Sequence, residues 1–155
     1  MIGSDVSDPP PKASLTFAER LRRFYIDYAD VVLTREWSRI YFFAALRGVD
    51  IDKRNFLLVR HRILHPIARQ MRGEVGCRRI ADPISPMEEE IVWELHAAIF
   101  YLRIREWILD LPAPMPIEEA IALRIAIFLG GARSTFAAAT AEQPANPARR
   151  RGAIR

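Results

Sequence analysis

His61 and His65 lie four apart in RHRILHP, the separation at which two imidazoles on one helix reach a single metal ion. Arg60 and Arg62 flank them and no carboxylate falls at the next turn, so the pair lacks further ligands and sits in a positive field. The expectation is no metal. Cys77, in EVGCRRI, has Arg78 and Arg79 beside it, which favours thiolate and raises the alternative of a reactive thiol; an ordinary loop cysteine is the plainer reading. The run Glu88 to Glu90 follows Ser85 and Pro86, and acids in a first helical turn complement the helix dipole without any catalytic duty. A dimetal carboxylate bundle needs Glu three residues before a His. Leu58, Arg62 and Trp93 stand there instead, before His61, His65 and His96. No glycine-rich phosphate loop, GxSxG elbow or Cys/His nucleophile pair occurs. The expectation is therefore no enzyme and no cofactor, with a monomeric helical metal-binding protein or enzyme using His61, His65 and His96 as the alternative.

Small-molecule binding is the positive chemistry. Trp37, Tyr41, Phe42, Arg47, His96, Tyr101 and Arg103 combine aromatic surface with a few polar handles, the make-up of a ligand pocket. His96 and Arg103 fall on one polar strip between two apolar faces, where a polar group would be costly to bury without a partner. On that basis Arg103→Leu is expected to weaken ligand binding without unfolding the protein.

The elements that position these residues are all helical by periodicity, which makes the fold class all-α, a bundle of about five to six helices. Thr16 with Glu19 forms a capping-box pattern that opens a helix over 16–33, its stripe being Phe17, Leu21, Phe24, Tyr28 and Val32. Thr34 caps a second, over 35–47, which Gly48 stops. Asp52 opens a third, with the stripe Phe56, Val59, Ile63, Ile67 and Met71 and an end at Gly73. Pro66 interrupts it, because proline cannot bond back to the carbonyl of Arg62, so a kink is expected there. A linker with Gly76, Pro83 and Pro86 follows. Ser85, Pro86 and Glu88 start a fourth helix that runs to Asp110, where LPAPMP forbids continuation. The fifth spans 116–139. Residues 15–140 form a single domain, between a proline-rich disordered leader (1–14) and a disordered basic tail (141–155).

The fourth helix has two apolar faces at 100° per residue. One is Ile91, Leu95, Ala98, Leu102 and Leu109; the other is Trp93, Ala97, Phe100, Ile104, Trp107 and Leu111. The fifth has a large face and a small one, the latter including Leu123, Ile127, Gly130 and Gly131. A helix on the outside of a monomer needs one apolar face, so the surplus predicts a homodimer. Its four-helix interface is formed by the last two long helices through Trp93, Ala97, Phe100, Ile104, Trp107, Leu123, Ile127, Gly130 and Gly131. Coverage of the second face by the first three helices is the alternative.

The net charge is +4 over 155 residues, and the sequence pI is about 9.7. Arg149, Arg150, Arg151 and Arg155 against Glu142 put +3 of it in the tail. The remainder is nearly neutral, without the basic face that grips phosphate, so no direct nucleic-acid binding is expected. The polar, acidic first residues are not a signal peptide. The longest apolar run, Ala120 to Ala132, contains Arg124 and falls short of a span of about 18 uncharged residues. A lone cysteine excludes an internal disulfide. The expected location is cytoplasmic, with no membrane partner.

The stretch LHAAIFYLRIREWILDLP, a short proline loop, and then a helix with FLGGA near its end resemble the C-terminal regulatory domain of TetR-like transcriptional repressors. FAERLRRFYIDYADVVLTREWSRIYFFAAL resembles the first helices of that domain, and the resemblance covers about residues 15 to 140. It implies an all-helical domain whose last two helices dimerise and whose other helices enclose a pocket for a small apolar or aromatic effector. A heterodimer with a full-length relative is a further implied partner. The family's N-terminal helix-turn-helix has no counterpart in this sequence, which begins with a proline-rich leader, so DNA contact is not carried over to any residue.

Overall fold

The structure, a computed structural model, describes residues 15–49 and 51–141. The expected leader and basic tail lie outside the described residues, apart from Ala141. The helices are α1 (Phe17–Val31), α2 (Arg35–Leu46), α3 (Ile51–Val59), α4 (His65–Glu74), α5 (Pro86–Trp107) and α6 (Ile117–Ala141), with a π-helical turn over Arg60–Leu64 joining α3 to α4. Among the described residues there are no strands, and the fold is all-α.

Local chemistry sets the helix ends. Thr16 and Ser85 each close a capping box, with Glu19 and Glu88 respectively, and Thr34 Oγ1 accepts from the Trp37 N–H at 3.2 Å. α2 and α4 end in Schellman motifs: Gly48 and Gly76 both have φ of 70°, which a side chain disfavours, and Val49 and Cys77 donate back to the carbonyls of Ala44 and Arg72. The third expected helix, α3 continued into α4, therefore stops at Glu74 rather than Gly73. α5 ends at Trp107, three residues before the expected Asp110. Its last turn widens there, the Leu109 N–H reaching the Ile104 carbonyl and the Leu111 N–H that of Arg105, across an Asp110 at φ 52°.

The expected kink at Pro66 takes the form of the π turn just before it. The His65 N–H reaches the carbonyl of Arg60, five residues back, and the wider turn accommodates the proline ring. The extra residue also rotates the apolar stripe. Val59 and Leu64, five apart, both enter the core, followed by Ile67, Ala68 and Met71, while Ile63 is half-buried and Phe56 largely exposed. In α1 the buried set is Phe17, Leu21, Tyr25 and Ala29, so the stripe turns one position from the expected Phe24 and Tyr28.

α5 and α6 lie side by side as the axis of the bundle. α1 packs on both, the α3–α4 rod crosses them, and α2 rests on α5 and α3. Val92, Leu95, Ile99 and Leu102 of α5 meet Ile121, Ile125, Leu129 and Phe136 of α6 in the core. α6 runs 25 residues because Gly130 and Gly131 do not end it, and by length and composition it is long and apolar enough to cross a membrane. Its length exceeds the apolar run from which no span was expected.

Arg72 gathers the connection between α4 and α5, and Arg79 anchors the same stretch to the Thr140 carbonyl of α6 at 2.6 Å. Arg72 donates from Nε and Nη2 to both Glu88 carboxylate oxygens, at 2.6 and 2.7 Å. Its remaining N–H groups reach the carbonyls of Arg79 and Asp82 at 2.8 Å and of Pro83 at 2.9 Å. Glu88 is thus more than a dipole-complementing acid: it is fully buried, and it is the acid of both the capping box and the ion pair.

Candidate functional site

Four helices converge on a cavity of about 140 Å³. α1 contributes Tyr28, α2 Tyr41, α3 Asn55, Phe56 and Val59, and α5 Trp93, His96, Ala97 and Phe100. The α5 residues sit at i, i+3, i+4 and i+7, one stripe of a helix. This is the second apolar face of α5, and in the structure it turns toward α2 and α3 of its own chain. Trp93 meets the Phe56 ring edge-on at 5.5 Å, and Phe100 meets Trp37, Tyr41 and Phe42 at 6.0 to 6.1 Å. Within the chain, aromatic packing thus reaches Trp93 and Phe100 of the expected dimer surface, while Ala97 stays exposed. Ile104 is half-buried, and Trp107 donates its indole N–H to the Leu33 carbonyl at 3.2 Å.

The rings stand at varied angles around the cavity. Tyr28 and Trp93 lie 5.3 and 5.7 Å from the His96 ring, tilted by 52° and 39°, while Tyr41 and Phe100 cross at 86°. Trp37 stacks behind Tyr41 at 4.9 Å and fixes its plane. Burial drives the His96 pKa down to about 4, so the imidazole is neutral at pH 7. Its Nδ1 lies 3.5 Å from the Tyr25 hydroxyl. Burial, then the neighbouring Tyr41, raises the Tyr28 phenol to about 12. The lining contains no arginine, lysine or carboxylate. Phe56 is 41% exposed and Ala97 is exposed as well, and these two form the mouth.

Of the expected ligand residues, Tyr41 and His96 line this cavity, and Trp37 and Phe42 support it from behind. The other three lie elsewhere. Arg47 is at the exposed end of α2 with its guanidinium 4.8 Å over the Phe43 ring, and Tyr101 faces outward. Arg103 does not join His96: it pairs with Asp30 at 3.2 Å and Glu106 at 2.8 Å and lies over Trp107. Tyr28, Asn55 and Phe56 escaped the sequence reading. Tyr28, Phe56 and Val59 were assigned to core stripes, and α1 and α3 instead carry them to the cavity.

The histidine pair is tied up differently from a metal site. His65 Nε2 lies 3.1 Å from Glu89 Oε2, which also accepts from Arg60 at 2.8 Å, and His61 meets His65 edge-on at 5.3 Å. Among the described residues no group of three or more His, Cys, Asp or Glu could hold a metal ion.

Largely apolar surfaces stay open on two sides of α5. One is the groove between α5 and α6, where Ile91, Ala98, Ile127, Phe128 and Gly131 are joined by Glu94 and Arg124; the other lies between α2 and the end of α5, with Ile40, Phe43, Leu46 and Ile108 beside Arg39. No family model matches this chain, and neither a curated protein nor a solved structure matches it.

Proposed function

We propose that this chain is a small-ligand-sensing and dimerising module of a TetR-like transcriptional regulator, with the aromatic cavity as its effector site. The observation that carries the ligand reading is the uncharged cavity walled by Tyr28, Tyr41, Phe56, Trp93, His96 and Phe100. An apolar cavity of about 150 Å³ holds one benzene-sized guest, so the effector presents a group of that size. The walls come from α1, α2, α3 and α5, so an occupant changes the packing of α2 and α3 against the long helix. The dimer reading rests on α6, where Leu123, Ile127, Gly130 and Gly131 remain exposed beside an open groove. In such a dimer a ligand acts by favouring one arrangement of the two copies over another.

The test is a thermal-shift screen of single-ring aromatic compounds and small ammonium salts, repeated on Ala97→Phe. That substitution adds a ring at the exposed mouth and removes no wall. A ligand at about a hundredfold excess over its Kd adds roughly 2.7 kcal/mol of stability, several degrees in Tm. Shifts in the parent protein that vanish in Ala97→Phe support the reading. Shifts that persist in the variant place binding elsewhere and overturn it.

A further inference from the structure

We infer that the effector cavity is an aromatic cage for a small quaternary ammonium head group. This rests on the ligand-site reading above and names the chemical class it takes. Five aromatic rings, those of Tyr28, Tyr41, Phe56, Trp93 and Phe100, line a space the size of a trimethylammonium group, and they come from four helices, with Tyr41 and Phe100 at 86° and Phe56 and Trp93 at 65° to each other. An apolar guest would be served equally well by Leu, Ile and Val, of which the lining holds only Val59. Aromatic walls differ from aliphatic ones in carrying negative charge on their faces, to which a cation is attracted.

The polar groups point the same way. No arginine or lysine lines the cavity, and Lys53 lines the neighbouring shallow groove instead. The one titratable base, His96, is neutral at pH 7 because it is buried. An anion would find no cation to pair with and would face the repelling side of each ring. A quaternary ammonium has no N–H to satisfy, so its fit depends on the faces alone. The mouth at Phe56 and Ala97 lets a tail on the head group reach solvent.

Choline and 3,3-dimethylbutan-1-ol test this, since they share one shape and differ by a charged nitrogen against a neutral carbon. Both are titrated into the purified chain by calorimetry, with tryptophan fluorescence followed in parallel, and again into Ala97→Phe and Trp93→Leu, whose folding is checked by helical circular dichroism. The expected result is choline binding at least about tenfold tighter than the alcohol, with binding lost in Ala97→Phe and the preference reduced in Trp93→Leu. Equal binding of the two would overturn the ammonium inference and leave an apolar ligand site standing. Binding of neither, with a single-ring aromatic still bound, overturns the ammonium inference alone. Failure of all three overturns the ligand-site reading with it.

Discussion

Arg72 and Glu88 meet as a two-pronged ion pair, 2.6 and 2.7 Å apart at its two contacts, with side-chain exposures of 1% and 0%. Arg72 also holds four carbonyls of the 79–83 turn, so one buried cation orders much of the connection between α4 and α5 and sets the start of the helix that walls the cavity. Arg72→Met strands a buried carboxylate and is expected to cost about 3–5 kcal/mol in urea unfolding. The double variant Arg72→Met, Glu88→Leu should recover only part, because the turn carbonyls still lose their donors. A loss under about 1 kcal/mol in the single variant would mean that the turn holds itself.

The same pair sets an acid limit. Burial would raise the Glu88 pKa, but the hydrogen bonds from Arg72 and Ser85 outweigh it and bring it down to about 2, against 4.5 for a free carboxylate. A depressed carboxylate contributes stability above its unfolded pKa and loses it as pH falls through the folded one. Stability should therefore decline between pH 4.5 and 2, and Glu88→Gln, already destabilised, should show a shallower decline over that window. Parallel curves for the two proteins would contradict the assignment.

His96 acts in a higher window. Its folded pKa of about 4 lies below the ordinary 6.5 because of burial, so below pH 6.5 the unfolded chain takes up a proton that the folded one refuses. Stability is complete above 6.5 and falls by roughly 3 kcal/mol at most on the way to pH 4. His96→Gln should flatten this segment of the pH profile in denaturant melts. An unchanged slope would show that the His96 ring is hydrated.

Arg103 separates the sequence reading from the structural one. It lies outside the cavity, paired with Asp30 and Glu106, and its Nε is buried without an acceptor. Arg103→Leu is therefore expected to leave ligand affinity unchanged and to alter stability by no more than about 1 kcal/mol, measured by titration and melt on the same sample. A weakened ligand with unchanged stability would restore the pairing with His96.

The capping signals at Thr16, Thr34 and Ser85 were legible because their partners lie three residues away, within one turn. The two-faced character of α5 was legible too, from spacing alone. What covers the second face was not: a helical wheel cannot distinguish α2 and α3 of the same chain from a second copy, and Phe100 meeting Trp37 is a contact 63 residues away in sequence. The π turn was hidden for a related reason. Pro66 announces a disturbance, but whether the chain bends or inserts a residue depends on which of Ile63 and Leu64 the core accepts. Arg72 gave no sign, since a buried arginine looks like any surface arginine until a turn supplies its acceptors.

The dimer prediction now depends on α6. Ile127 is 60% exposed and Leu123 46%, and a Cβ built at Gly130 or Gly131 meets nothing within 4 Å inside the chain. Both glycines cost helix stability, about 1 kcal/mol each relative to alanine, with no close approach in the monomer to explain them. A second copy lying across this face would use the missing side chains for close helix contact. Light scattering over a concentration series is therefore expected to give about twice the 17.8 kDa chain mass, and Ile127→Arg to return it to one chain by burying an unpaired charge. Ile40→Arg, on the other open apolar surface, serves as the comparison. If Ile40→Arg dissociates the dimer and Ile127→Arg does not, the interface is the α2 face. A single-chain mass at every concentration would remove dimerisation from the proposed function while leaving the cavity untouched, because every wall of that cavity belongs to one chain.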